Sequence, residues 1–230
     1  MSCLNNPKNY QITRIKIAAR DSRLSVEQVK EILESLQQYH PHIHFDCHFL
    51  STIGDRDQNT SLRKMEKSNF FTKDIDELVL NGICQIGIHS AKDLPEPLTK
   101  GLSLICLTKG IDSSDSLVIP QGQTIDSLPL KTCIGTSSER REEAVKSLRS
   151  DFTFKDIRGT IEQRLAKMKT GEIGGLVVAE AALIRLNLTH LNRMTLPGLT
   201  TTGQGQLAIL SRENDLEMKH LFICLDCRNE

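Results

Sequence analysis

Gly135-Thr136-Ser137-Ser138-Glu139-Arg140-Arg141 is the stretch that decides the reading of this chain. The apolar residues before it predict a short buried strand over 132–135. The hydroxyl-rich middle predicts a turn, and a helix is expected from about 138 to 148. A helix N-terminus leaves backbone N–H groups unpaired at the positive end of a dipole, so it attracts anions. Thr136, Ser137 and Ser138 add neutral hydrogen-bonding groups, and Arg140 and Arg141 add forked guanidiniums suited to carboxylate or phosphate. The plainer alternative is a capped helix with a solvated arginine pair. Strand, turn and helix together form one unit of an α/β fold, where ligands gather beyond the C-terminal ends of strands.

The pattern repeats on both sides of this stretch. Alternating Ile15, Ile17 and Ala19 predict a strand over 14–20, and a helical stripe follows over 22–38, with Ser22 or Ser25 as its cap. Residues 42–50 alternate again, with Ile43, Phe45, Cys47 and Phe49 expected inward. A polar loop over 52–69, a helix over 71–81 ending at Gly82, and a strand over 83–88 come next. After a strand over 102–107, residues 108–116 are rich in Gly, Asp and Ser and read as a crossing between domains. A second series places strands at 117–119, 132–135, 152–157 and 175–179. Its helices are expected at 138–148, 161–169 and 180–186. Residues 196–205 form a turn-rich return to an apolar run at 207–210 and a helical tail over 216–227. Alternating elements predict mostly parallel sheets covered by helices. The two crossings predict two domains, 1–110 with 204–230 and 111–203, facing one cleft.

Bulk chemistry narrows the partners. Among 230 residues, Lys plus Arg (29) equals Asp plus Glu (29), so any positive site is local and general nucleic-acid binding is disfavoured. Trp is absent, which argues against base-stacking platforms. No run reaches the length of a membrane span, and residues 1–10 are too polar for a secretory signal. Seven scattered cysteines read as reduced thiols of a cytoplasmic protein.

Six cations sit at or just past predicted strand ends: Arg20, Lys92, Arg140, Arg141, Arg158 and Arg164. Together they suit a ligand with several carboxylates or phosphates. Asp93 is the one acid beside a lysine at a buried strand end, where surrounding cations would keep it ionised. It reads either as a functional carboxylate or as a turn residue. His42, His44 and His48 share a polar strand face without further metal-ligand spacing, so a solvated face is expected rather than a metal site. Cys224 and Cys227 have C-x-x-C spacing but no second pair, and Gly203-Gln204-Gly205 reads as a tight turn.

Taken in order, Lys16-Ile-Ala-Ala-Arg-Asp-Ser22, Phe70-Phe71-Thr-Lys73, His89-Ser-Ala-Lys-Asp-Leu-Pro95, the opening motif, Ile157-Arg-Gly159 with Arg164-Leu165, and Gly203-Gln-Gly205 resemble the hydroxymethylbilane synthase (porphobilinogen deaminase) family. The resemblance runs over residues 14–212. It implies two periplasmic-binding-protein-like α/β domains around an interdomain cleft. It also implies a cytoplasmic, monomeric transferase of tetrapyrrole and heme biosynthesis that condenses four porphobilinogen molecules into hydroxymethylbilane, releasing ammonia each time. Porphobilinogen and the growing oligopyrrole would be its partners.

By the same resemblance Asp93, with Arg20 and Lys92, would be catalytic, Asp93 stabilising the cation formed when ammonia leaves. Ser22, Lys92, Thr136, Ser137, Ser138, Arg140, Arg141, Arg158 and Arg164 would hold the acidic side chains of a dipyrromethane cofactor and of substrate. The family's third domain, which carries the cofactor cysteine, has no counterpart before Glu230, so a short form is expected whose cofactor anchor is unknown: Cys224 and Cys227 are weak candidates, and binding without a covalent link is the alternative. The glycine-rich run of the family's lid is replaced by Glu66-Lys67-Ser68-Asn69, and Leu210 and Glu139 also depart from the pattern. The competing expectation is a catalytically impaired relative that binds polycarboxylate pyrroles or another anion without turnover.

Overall fold

The computed structural model describes residues 14–61, 63 and 68–229. Residues 64–67, which hold the Glu66-Lys67 departure in the lid, lie outside that range. The first sheet is built from β1 (Arg14–Arg20), β2 (His44–Leu50), β3 (Ile86–Ser90), β4 (Leu102–Leu107) and, much later, a strand at Leu207–Arg212. The second contains β5 (Asp115–Val118), β6 (Cys133–Gly135), β7 (Thr153–Lys155), β8 (Gly175–Ala179) and β9 (Arg193–Thr195). The late strand is β10. The strand orders are β2-β1-β3-β10-β4 and β7-β6-β8-β5-β9.

In each sheet three neighbours pair in parallel and one strand runs against the rest: β10 in the first, β5 in the second. Four strands of five therefore share a direction in each sheet. The reversed strand is always the first one laid down after the chain crosses from the other sheet. The two orders superpose position by position, so both sheets follow one plan.

Helices cover both faces of each sheet, as buried βα units require. In the first sheet Ile15, Ile17, Ile86 and Ile209 pack with Val29, Ile32 and Leu36 of α1 (Arg23–Gln37) and with a tail helix at Leu216–Phe222. The opposite face buries Ala18, Ala208 and Leu210 against Ile75 and Val79 of a helix at Lys73–Leu80. Between these helices lies α2 (Ile53–Arg56), inside the segment expected to be a loop; the later two are α3 and α7. The second sheet is sandwiched by α4 (Glu139–Leu148) on one side and by α5 (Ile161–Lys169) and α6 (Glu180–Arg185) on the other. Ser22, not Ser25, caps α1, its side chain accepting from Ser25 N at 3.2 Å.

One expectation fails, at β2. Cys47 and Phe49 are exposed: they share the face of Phe45, which packs on the core, but the cover ends before them. The three-residue β9 carries no visible alternation, so no expectation fell on it. Among the described residues no helix is long and apolar enough to cross a membrane.

The two crossings run side by side. Thr108 N donates to Leu207 O and Leu207 N to Thr108 Oγ1, both at 2.9 Å, and Gln206 Nε2 reaches Thr108 O at 2.8 Å. Gly205 has φ +84°, and a Cβ there would stand 2.1 Å from the Asp112 carbonyl oxygen. Only glycine lets the return strand lie this close to the outgoing one.

Candidate functional site

A cavity of about 490 Å³ lies between the sheets, at the C-terminal ends of β1, β3, β6 and β8. Of the residues expected at a site, it is lined by Arg20, Ser22, Lys92, Asp93, Ser137, Ser138, Arg141, Arg158 and Arg164. Thr136 and Arg140 are not on that lining among the described residues.

The opening motif folds as read, but much of its hydrogen-bonding capacity is spent internally. Thr136 is buried, and its hydroxyl accepts from Ser138 N at 3.3 Å. Ser137 Oγ donates to Ile157 O at 2.7 Å and accepts from Ile157 N at 3.1 Å, lashing β6's turn to the segment before Arg158. Asp115, the first residue of β5, is 1 % exposed and lies under both arginines. Arg140 Nη2 donates to it at 2.6 Å, and Arg141 donates through Nε at 2.9 Å and Nη2 at 2.5 Å. Arg140 also donates to Leu199 O. The anion that holds the arginine pair in this structure is therefore an acid of the protein itself. Burial alone would raise the Asp115 carboxyl, but the charge and hydrogen bonds of Arg141 and Arg140 outweigh it and hold it below the usual carboxylate range. Gln204 joins the cluster, donating to Ser113 O, Ser114 O and Asp115 Oδ1 and accepting from Arg141 at 3.4 Å. Gly203-Gln204-Gly205 is thus a tie between both crossings and the arginine pair.

Arg20 ends β1 in an ion pair with Asp55 of α2, its guanidinium 4.6 Å above the Phe71 ring. Asp55 sits below its usual pKa although burial opposes this, because Arg20 and Thr52 hydrogen-bond it and Arg20 adds its charge. Arg158 Nη2 donates to the carbonyls of Gly54 and Asp57 at 2.8 and 2.9 Å, while its buried Nε and Nη1 have no hydrogen-bond partner. Burial lowers its pKa. Arg164 Nε reaches Gly159 O at 2.8 Å. Burial, together with Arg141, Arg158 and Arg20, brings the Arg164 pKa down to about 10.

Ala91–Asp93 form a single 3₁₀ turn after β3. Lys92 is pulled down to about 8, first by desolvation and then by Arg141, against the opposing pull of Asp93 and Asp115. Asp93 lines the cavity, and its carboxylate accepts no hydrogen bond from any described residue. Like Asp21 on the same lining, it has no hydrogen-bond or ion-pair partner among the described residues, and it lies beside Lys92.

Sequence reasoning missed Asp55, Asp115 and Arg185. Arg185, at the end of α6, lines the cavity and crosses to Glu31 of α1 at 2.7 and 3.0 Å, with a further bond to Gly205 O. In sequence it resembles a cation placed to favour a helix C-terminus, which hides its reach. Cys224 and Cys227 do not line the cavity among the described residues. Cys224 packs on the core beside α1 and α7, where burial raises its thiol pKa, the reverse of what an activated anchor needs. Cys227 Sγ accepts from Gln206 Nε2 at 3.8 Å.

Two α/β lobes joined by two crossing segments around a charged cleft define the periplasmic-binding-protein-like class. Solved structures agree with that class: an ancestral cationic amino acid solute binding protein (TM-score 0.57, 9% identity, 91% of this chain and 86% of that one) and the reduced regulatory domain of OxyR2 from Vibrio vulnificus (TM-score 0.53, 13% identity, 93% and 94%) share the fold. Within that class, residues 15–220 match the family described as "Porphobilinogen deaminase, dipyromethane cofactor binding domain", and the chain belongs to the porphobilinogen deaminase family. A "probable porphobilinogen deaminase" of Chlamydia pneumoniae is 37% identical over 215 residues, covering 94% of this chain and 91% of that protein. The porphobilinogen deaminase of Nostoc sp. is also 37% identical, over 89% of this chain but 65% of its own length. The chain thus spans nearly all of the chlamydial relative and just under two thirds of the cyanobacterial one.

Proposed function

We propose that this chain carries out the stepwise deaminating condensation of porphobilinogen to hydroxymethylbilane in tetrapyrrole biosynthesis. The observation that carries the proposal is an Asp93 with no hydrogen-bond partner among the described residues, on a cavity lined by six described cations: Arg20, Lys92, Arg141, Arg158, Arg164 and Arg185. A pyrrole bearing acetate and propionate groups offers both halves of the match, carboxylates for the guanidiniums and a ring N–H for the aspartate. Asp93 would accept the ring N–H and stabilise the cation left when the substrate's amine departs. A carboxylate set against a developing cation is the kind of preorganised electrostatic group that lowers such a barrier.

The residues present also fit a dipyrromethane. Arg158 keeps two buried donors without partners, and Arg164 and Lys92 are desolvated cations awaiting an anion. Arg141, Arg158, Arg164, Lys92 and Ser138 would hold its acidic side chains, and Asp93 its ring N–H groups. When bound, the dipyrromethane supplies the primer pyrrole from which the product grows. Arg140 and Asp115 act one step back, by fixing Arg141. The free thiols of the described cysteines suit work in the cytoplasm.

Incubation of the purified protein with porphobilinogen tests the reading. Hydroxymethylbilane formation supports it, and binding of porphobilinogen without turnover favours the impaired-relative alternative. Intact-protein mass spectrometry of the wild type and of Cys224→Ser and Cys227→Ser shows whether a pyrrole adduct forms and on which sulfur.

A further inference from the structure

Beneath the turn that carries Lys92 and Asp93 lies a buried polar cluster that the proposed chemistry does not use. His89, the penultimate residue of β3, and Asp76 of α3 are 3% and 1% exposed at their side chains, with Nε2 and Oδ1 3.4 Å apart. Neither of those two atoms has a hydrogen-bond partner, and the nearby Thr72 Oγ1 is also buried and unpartnered. Asp76 Oδ2 accepts from Thr99 Oγ1 at 2.6 Å. Buried polar atoms left unpaired are rare and costly, so three in one place call for an explanation. His89 and Thr72 both line the cavity.

The placement is specific. Side chains alternate along β3, so His89 and Ser90 leave it on opposite faces. Ser90 Oγ accepts from Gln28 of α1 at 2.9 Å, while His89 meets Asp76 of α3. The end of β3 is thereby gripped from both faces, directly before the turn at Ala91. Gly87 makes room for the ring: a Cβ there would stand 3.0 Å from His89 Nε2.

We infer that His89, packed with its Nε2 3.4 Å from Asp76 Oδ1, is a positioning residue that fixes the β3 end and with it the turn presenting Lys92 and Asp93. The inference names a residue for the reaction proposed above and rests on that reading. Its first test is independent of turnover.

Hydrogen exchange over residues 86–95 reads the positioning directly. His89→Ala and Asp76→Ala speed exchange of the amides of Ala91 and Leu94 about tenfold, which are bonded to Gln206 O and Ala91 O, and leave α4 unchanged. His89→Gln, whose amide fills the same place beside Asp76 and can donate to it, restores most of the protection. In the porphobilinogen assay the two alanine variants lose about tenfold in kcat with KM within twofold of wild type. Their double variant loses no more than either alone, as coupled residues do. Wild-type exchange over Ala91 and Leu94 in both alanine variants overturns the inference, and so does a glutamine variant as impaired as the alanine one. If the alanine variants do not fold, Thr99→Val, which removes only the bond behind Asp76, gives a smaller shift in the same direction; unchanged exchange there overturns it equally. Failure of wild-type turnover with the exchange pattern as expected would count against the reaction, not the positioning.

Discussion

The third strand in each sheet's order is followed by an acid within three residues, and the two acids lead opposite lives. Past β8, Glu180 is locked: Arg193 Nε donates to both its oxygens at 3.0 Å, Arg193 Nη2 adds a bond at 2.7 Å, and Ser116 supplies another. Hydrogen bonds from Arg193 lower its pKa despite burial. Past β3, Asp93 faces the cavity with no hydrogen-bond partner among the described residues. One plan, used twice, gives a satisfied carboxylate that holds a lobe together and an unsatisfied one free for a ligand. The same split separates the arginines. Arg140 is committed to Asp115 and Leu199, whereas Arg158 keeps two donors unspent.

If this contrast is right, Asp93→Ala cuts kcat by about a thousandfold while the melting temperature stays near wild type. Glu180→Gln does the reverse, costing about 3 kcal/mol of stability with kcat within a few-fold. Comparable kcat losses in both variants would erase the distinction.

Asp115→Asn is expected to lower stability by about 3 kcal/mol and to weaken porphobilinogen binding, because Arg140 and Arg141 lose their shared anchor. The sign with pH follows from a folded-state pKa below the unfolded one. Asp115 stabilises fully above the ordinary aspartate value near 4, and that contribution is lost as pH falls through the lower folded value. Acid unfolding of the asparagine variant should therefore be shallower than that of wild type, as followed by circular dichroism.

Gly205→Ala is expected to cost about 2 kcal/mol or more, combining a positive φ with the Asp112 carbonyl. Gly198→Ala shares the positive φ but meets nothing within 4 Å, so about 1 kcal/mol is expected. Chemical denaturation of the two variants measures the difference, which isolates the contact between the crossings.

The smallest effect concerns Lys92. With its pKa near 8, the ammonium is largely lost between pH 7 and pH 9, so porphobilinogen affinity falls by roughly fivefold over that range. Lys92→Met flattens that dependence, which calorimetric titration at several pH values checks.

The order of elements was legible because strands buried on both faces leave apolar runs, and helices at their ends leave caps and charge. Boundaries slipped where an apolar run did not coincide with pairing. Ile83 is apolar yet half exposed, and the third strand begins at Ile86, where it meets Ile17. Phe49 and Cys47 misled because alternation shows which side chains share a face, not whether a helix covers that face. At the site, the cations were legible as charges at strand ends. Their partners were not, since Asp115 lies 25 residues from Arg140 in a serine-rich stretch that reads as loop. Sequence shows a charge; only the fold shows whether that charge is already spent.

The reversed strand of the first sheet has a consequence for synthesis. β4 pairs only with β10, which also completes β3. During translation, nearly a hundred residues of the second lobe emerge between β4 and that partner. Until then β4 has both edges open, and the aspartate-bearing turn lacks the Gln206 carbonyl that holds it. The nascent first lobe is therefore a template with a slot at its centre, exposed to aggregation until the ribosome delivers the closing segment.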